Sequence, residues 1–234
     1  CTDDTCNPTS GCTVTANTSP CDDGDPTTIF DRCVARTCVP GPRGCPPAPL
    51  AGCKQSLAPE KSDLLVAAGS SSANRRLLWR WRVGSATTKA ELGNPMSDGG
   101  GRYAFCLYDQ VGGTPELHLE RQVPAGGTCA GLPCWKESSG SFSYADKLAS
   151  RVPGIMRVLL RSGRDGHASL LIKGRTGGLG TVGLPLREDP KVTVQLIGER
   201  ACWQADYEAP AGLNTDVAFR DNGAGSVLLG AALK

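Results

Sequence analysis

Eight cysteines crowd the first 53 residues (Cys1, Cys6, Cys12, Cys21, Cys33, Cys38, Cys45 and Cys53), and the other four, Cys106, Cys129, Cys134 and Cys202, are spread over the rest of the chain. Thiols at that density either oxidise in pairs or hold a soft metal ion. The same segment has only six large apolar residues, Val14, Ile29, Phe30, Val34, Val39 and Leu50. That is too few for a hydrophobic core, so covalent cross-links must do the holding. Disulfides persist in oxidising compartments, and the chain therefore reads as secreted, extracellular or displayed at a cell surface. Thiols holding zinc inside a cell would overturn this.

Other side chains suggest other chemistry. Asp22, Asp23, Asp25 and Asp31 cluster, and hard cations such as calcium take clustered carboxylate oxygens. Calcium is the one cofactor candidate, although the spacing is not that of an EF-hand loop. The alternative is that these carboxylates cap the turns of an Asp-Asp-Gly-Asp-Pro stretch. The two histidines, His118 and His167, have no zinc-type spacing and read as solvent-facing strand or turn residues. There is no GxSxG elbow, and Gly177-Gly-Leu-Gly180 lacks the lysine and helix of a phosphate cradle. No carboxylate pair stands in a context that would raise a pKa, and no catalytic residue is expected.

Of the four tryptophans, Trp79 and Trp81 share the apolar phase of one strand and read as core. Trp135, beside Cys134, is expected to be exposed and is the ligand-binding candidate. Asn17-Thr-Ser19 matches a glycosylation sequon.

These residues must be positioned by β-structure. Aromatics make up 5% of the chain, against 30 Gly and 17 Pro, which suits short strands and turns. Five segments alternate with period two: Leu77, Trp79, Trp81 and Val83; Leu117, Leu119 and Val123; Met156, Val158 and Leu160; Ala168, Leu170 and Ile172; Val192, Val194 and Leu196. Gly163–Gly166 is a hairpin turn between the third and fourth. The fold class is mainly β: a small disulfide-rich repeat region, then an antiparallel β-sandwich of about eight to ten strands with no long helix. The expected domains are a Cys-rich region over 1–45, a Pro-rich extended linker over 46–60 and the sandwich over 61–220. An apolar tail or last strand then fills 221–234.

The net charge of +2 hides an asymmetry. Residues 1–53 hold six Asp against three Arg, and the rest hold 22 basic against 17 acidic residues. The basic residues are scattered along the sequence, so no nucleic-acid partner is expected. No apolar run reaches the ~20 residues that span a bilayer. Cys1 opens the chain without a signal peptide, which suggests a mature or trimmed form or, alternatively, a lipid-modified cysteine.

The cysteine spacing is duplicated. Cys1-Thr-Asp-Asp-Thr-Cys6 with Gly11-Cys12 aligns with Thr27-Thr-Ile-Phe-Asp31-Arg-Cys33 with Cys38, and Cys21-Asp-Asp-Gly-Asp-Pro26 precedes the second copy. Over about residues 1–40 this resembles the tandem CDDGxPCTxDxC repeats of bacterial secreted and surface proteins. The resemblance implies that further repeats preceded Cys1. Thr27 stands where the pattern has a cysteine, which implies unusual pairing or one thiol free to cross-link molecules. Residues 61–210 resemble a β-rich module that follows such repeats, through Leu78-Trp-Arg-Trp81, Tyr103-Ala-Phe-Cys106, Pro124-Ala-Gly-Gly-Thr-Cys129, Pro133-Cys-Trp135 and Cys202-Trp203. That module implies architecture and no activity.

Three disulfides are expected from position: Cys45–Cys53 around a Pro-rich loop, Cys129–Cys134 around a small one, and Cys106–Cys202 between the sheets. In the tail, Val227, Leu228, Leu229 and Leu233 either complete the sandwich or add as a strand to a neighbouring subunit. Together these features suggest a non-enzymatic extracellular structural protein, a homo-oligomer or polymer in a surface fibre, filament or layer. The alternative is an adhesion module binding extracellular glycan or peptide.

Overall fold

Leu77, Trp79 and Trp81 are buried along one side of β7 (Arg76–Gly84), while Arg76, Arg80 and Arg82 stay exposed on the other. A strand with one dry and one wet face requires this alternation. The computed structural model in which it is seen describes residues 1–9, 11–21, 23–25, 28, 31–41, 44–69, 71–96 and 101–223. At its end, a Cβ on Gly84 would sit inside the Trp81 ring, so only glycine lets that ring lie flat on the backbone.

The chain opens with two hairpins, β1 (Thr2–Asn7) with β2 (Gly11–Ala16), and β3 (Arg32–Val34) with β4 (Thr37–Val39). The rest is a mainly β fold of two large sheets. The eight-stranded sheet runs β12 (Trp135–Ser138), β13 (Ser141–Ala145), β14 (Ile155–Arg161), β15 (Ala168–Arg175), β7, β6 (Ser62–Ala67), β19 (Ala218–Asp221) and β18 (Leu213–Asn214). The five-stranded sheet runs β5 (Lys54–Gln55), β17 (Cys202–Glu208), β16 (Lys191–Ile197), β8 (Tyr103–Val111) and β9 (Thr114–Val123). A small ribbon of β10 (Thr128–Cys129) and β11 (Leu132–Pro133) and two single 3-10 turns complete the described elements.

The two large sheets face each other across one core. Trp79 meets Phe105 edge-on at 6.0 Å between ring centroids. The Trp79 Nε1–H donates to the Tyr207 hydroxyl (3.0 Å), Trp81 Nε1–H to the Gln204 carbonyl (3.0 Å) and Trp203 Nε1–H to Thr87 Oγ1 (3.2 Å). Each tryptophan thus buries its rings without leaving a polar atom unpaired.

β8 and β16 are buried on both faces. Their outer side is roofed by residues 44–56, held by Cys45–Cys106 and Cys53–Cys202. Leu50 N–H donates to Gln195 Oε1 (3.0 Å) and Gln195 Nε2–H returns to the Leu50 carbonyl (2.8 Å). β5 adds to β17 in parallel.

This geometry corrects two expected pairings. All of Cys45, Cys53, Cys106 and Cys202 are oxidised, but with exchanged partners. Cys106 and Cys202 lie in one sheet, separated by β16, and share an outward cluster with Cys53, Cys45 and Leu50. They cannot bridge facing sheets; each instead fastens the Pro-rich segment, which lies on the sheet as a strap. Cys129–Cys134 is paired as expected. Cys1–Cys33, Cys6–Cys12 and Cys21–Cys38 staple the hairpins. All twelve cysteines are therefore bonded within the chain and no thiol is left over, because Cys1 crosses to the second hairpin.

Bulges correct two strand phases. β9 pairs Leu119 with Leu107 but Leu117 with Tyr108, so His118 is the extra residue and Leu117 turns outward at 37% exposure. In β14 a shift between Ile155 and Arg157 sends Ile155, not Met156, into the core.

Burial also raises the pKa of all four tyrosine hydroxyls, Tyr103, Tyr108, Tyr144 and Tyr207, with Tyr144 pushed up to about 12. A raised phenol loses stability only as pH climbs past its unfolded value near 10. The urea midpoint should therefore hold from pH 8 to about 10 and fall above it. Each fully buried phenol contributes up to about 1.4 kcal/mol per pH unit. A midpoint unchanged to pH 11.5 would contradict this.

Candidate ligand-binding face

Period two places alternate residues of every strand on one side of a sheet, and register decides which of them become neighbours. On the outer side of the eight-stranded sheet, Arg175 stands opposite Arg76, and Arg157 opposite Lys173. Arg80 stands opposite Leu171 on one side and Asp63 on the other. All five cations are exposed. Leu65, Leu78, Leu159 and Leu171 lie half-buried between them, with Leu78 paired to Leu65 and Leu171 to Leu159. The result is an apolar stripe rimmed by positive charge, forming a shallow depression of about 440 Å³.

The acid within this patch is Asp63, whose carboxylate lies 2.8 Å from Arg82 and 3.7 Å from Arg80. Arg76, Arg157, Lys173 and Arg175 therefore face one another across the ladder. Like charges placed directly opposite cost roughly 0.2–1 kcal/mol per pair. The equivalent outer surface of the other sheet is closed by the strap, so among the described residues one sheet face is covered and the other open.

Scatter along the sequence thus becomes a cluster in space, which removes the reason for dismissing a polyanionic partner. The signal was present: Arg76, Arg80 and Arg82, then Arg157 and Arg161, then Lys173 and Arg175 occupy the polar phase of strands that become neighbours.

The expected ligand-binding Trp135 is 1% exposed. It begins β12 but turns inward between Tyr103 and Tyr144, at centroid distances of 5.6 and 5.4 Å, and its Nε1–H donates to the Pro124 carbonyl at 2.9 Å. It is a core residue and offers no ligand surface.

Asp31 is 4% exposed and accepts backbone N–H groups from Gly41 (2.9 Å) and Asp23 (3.3 Å). Asp23 in turn accepts from the Asp25 N–H (2.9 Å) and the Thr28 hydroxyl (3.3 Å). Asp31 and Asp23 thus cap turns, and Asp22 lies outside the described residues. Among the described residues, the group close enough to ligate one ion is Cys1, Cys21 and Cys33, with sulfurs within 4.8 Å of one another. Their sulfurs are disulfide-bonded and are not thiolate donors.

His118 Nε2 lies 3.7 Å from the buried Asp109 carboxylate. That carboxylate already accepts the N–H groups of Arg187 (2.7 Å), Gln110 (2.9 Å) and Glu188 (3.0 Å). Asp109 thus fastens the loop of Arg187 and Glu188 to β8, with His118 beside it, while His167 is exposed in a turn. Val227, Leu228, Leu229 and Leu233 lie outside the described residues. No described helix is long and apolar enough to cross a membrane. No protein-family description, curated protein or solved structure matches this chain.

Proposed function

We propose that this chain is a non-enzymatic, exported adhesion module that holds an anionic glycan, carboxylated or sulfated, on the open face of its eight-stranded sheet. Six disulfides support export, since such bonds persist in oxidising compartments. The observation that carries the ligand class is the register that sets Arg175 against Arg76 and Lys173 against Arg157. A surface kept cationic at a stability cost suits an anion that removes the repulsion. The four Trp and four Tyr rings are all buried, so stacking on neutral sugars or unpaired bases has no exposed aromatic platform among them. The half-buried leucines suit the C–H faces of a sugar ring. A fibre cross-linked through a spare thiol loses its main support, because no cysteine is unpaired.

The test is retention on immobilised heparin against neutral dextran over a salt gradient. Wild type should bind heparin alone and elute earlier as salt rises. Replacing Arg76, Arg157 and Lys173 by Ser removes three contacts of roughly 0.5–1 kcal/mol each, or about 10- to 100-fold in affinity. Arg164→Ser, in an exposed turn, should elute with wild type. A triple variant eluting with wild type would refute the site, and equal retention on duplex DNA would refute glycan selectivity.

A further inference from the structure

The two N-terminal hairpins, one of six-residue and one of three-residue strands, place their cysteines alike and bond them differently. In β1–β2, Cys6 and Cys12 are register partners and are bonded to each other. In β3–β4, Cys33 and Cys38 are register partners in the same way, yet each bonds outward, to Cys1 and to Cys21. The sequence alignment makes Cys6 the counterpart of Cys33 and Cys12 the counterpart of Cys38.

Their surroundings differ accordingly. Cys33 is 2% exposed; its N–H donates to the Ser19 carbonyl (3.0 Å), and Pro20 bridges to Arg32. Cys33 of the second hairpin is therefore covered by the chain that precedes it, although Val34, Thr37 and Val39 stay exposed, and the sulfurs of Cys1, Cys21 and Cys33 meet within 4.8 Å. In β1–β2, every residue from Asp3 to Asn7 and from Gly11 to Ala16 is exposed, including Val14 at 47%.

We propose that the β1–β2 hairpin is the docking site for one further cysteine-repeat unit of the kind formed by residues 1–26. On docking, the incoming unit's Cys1 takes Cys6 and its Cys21 takes Cys12. The occupant follows from the precedent within the molecule, since a segment carrying those two cysteines already covers the matching hairpin. Each unit then passes one sulfur to the next hairpin and closes another from its own connecting segment. The Cys6–Cys12 bond is the pairing of a hairpin with no unit upon it.

The exchange balances without an oxidant when the incoming Cys1 and Cys21 begin bonded to each other. A catalytic thiol such as glutathione opens that bond, stays on the incoming Cys1 and frees the incoming Cys21 as thiolate. This thiolate attacks the Cys12 sulfur, and Cys6 leaves as thiolate. Cys6 then attacks the mixed disulfide on the incoming Cys1 and releases glutathione. Two disulfides become two disulfides.

The test fuses a second copy of residues 1–26 ahead of Cys1 in the full chain. Thr2→Ser, Thr13→Ser and Ser19→Thr mark the added copy by mass. Disulfides are mapped by tandem mass spectrometry after folding in a glutathione buffer. The expected map has no Cys6–Cys12 bond in the original hairpin. In its place, the added unit's Cys1 is joined to Cys6 and its Cys21 to Cys12, while the added hairpin closes on itself. Retention of the original Cys6–Cys12 bond overturns the proposal. If the extended chain does not fold, the oxidised 1–26 peptide is incubated with the unextended protein in the same buffer. A peptide joined to Cys12 through its Cys21 supports the proposal, and no adduct at Cys6 or Cys12 overturns it.

Discussion

Trp79→Ala is expected to lower the stability of the sandwich by about 3–5 kcal/mol, the range for deleting a large buried aromatic. The ring is fully buried where the sheets meet, against Phe105. Its loss leaves a cavity that the flanking strands cannot close without breaking register. It also removes one hydrogen bond from the Tyr207 hydroxyl, which keeps only Ser62 Oγ at 3.0 Å. Trp79→Phe retains most of the packing and loses the N–H, and should cost about 1–2 kcal/mol. Urea unfolding followed by circular dichroism measures both. A Trp79→Ala loss below 1 kcal/mol would show that the two sheets do not share this core.

Replacing Cys53 and Cys202 together by alanine should be comparably damaging. Their bond spans 149 residues, so it restricts the unfolded chain over most of its length. Loop closure of that size is worth about 5 kcal/mol in the chain-entropy account, and removal of native disulfides typically costs 2–5 kcal/mol. The substitution also frees one end of the strap over β16 and β17. The same change at Cys129 and Cys134, five residues apart, should cost about 2 kcal/mol. Removing Cys6–Cys12 should leave the sandwich midpoint where it is. Guanidinium unfolding without reductant ranks the three variants, and a Cys129–Cys134 loss exceeding the Cys53–Cys202 loss would refute the argument.

What could be read from the residues was what depends on neighbours along the chain. Alternation identified the core side of β7, and Gly163–Gly166 does join β14 to β15. Cys129–Cys134 followed from a short loop. What escaped depends on neighbours across space. No local pattern shows that residues 44–56 fold back over β8 and β17, so Cys45 and Cys53 looked like partners when each belongs to a strand far along the chain. Trp135 sits in a polar context yet points inward, because its register partner is Tyr144. His118 escaped because one inserted residue shifts the phase of β9 relative to β8. The cationic face needed only the strand order, since its residues already occupied the correct phase of each strand.

The strap has a mechanical consequence. A pull applied through the N-terminal hairpins enters the sandwich at Cys45 and passes by sulfur directly to Cys106, in the middle strands of the five-stranded sheet. The sixty residues between them in sequence are bypassed, so β6 and β7 carry no tension from that side. Force on the tether meets strands gripped by neighbours on both edges, which must shear together rather than peel one at a time. The N-terminal hairpins are thereby tied to the back of the five-stranded sheet, on the side away from the cationic face.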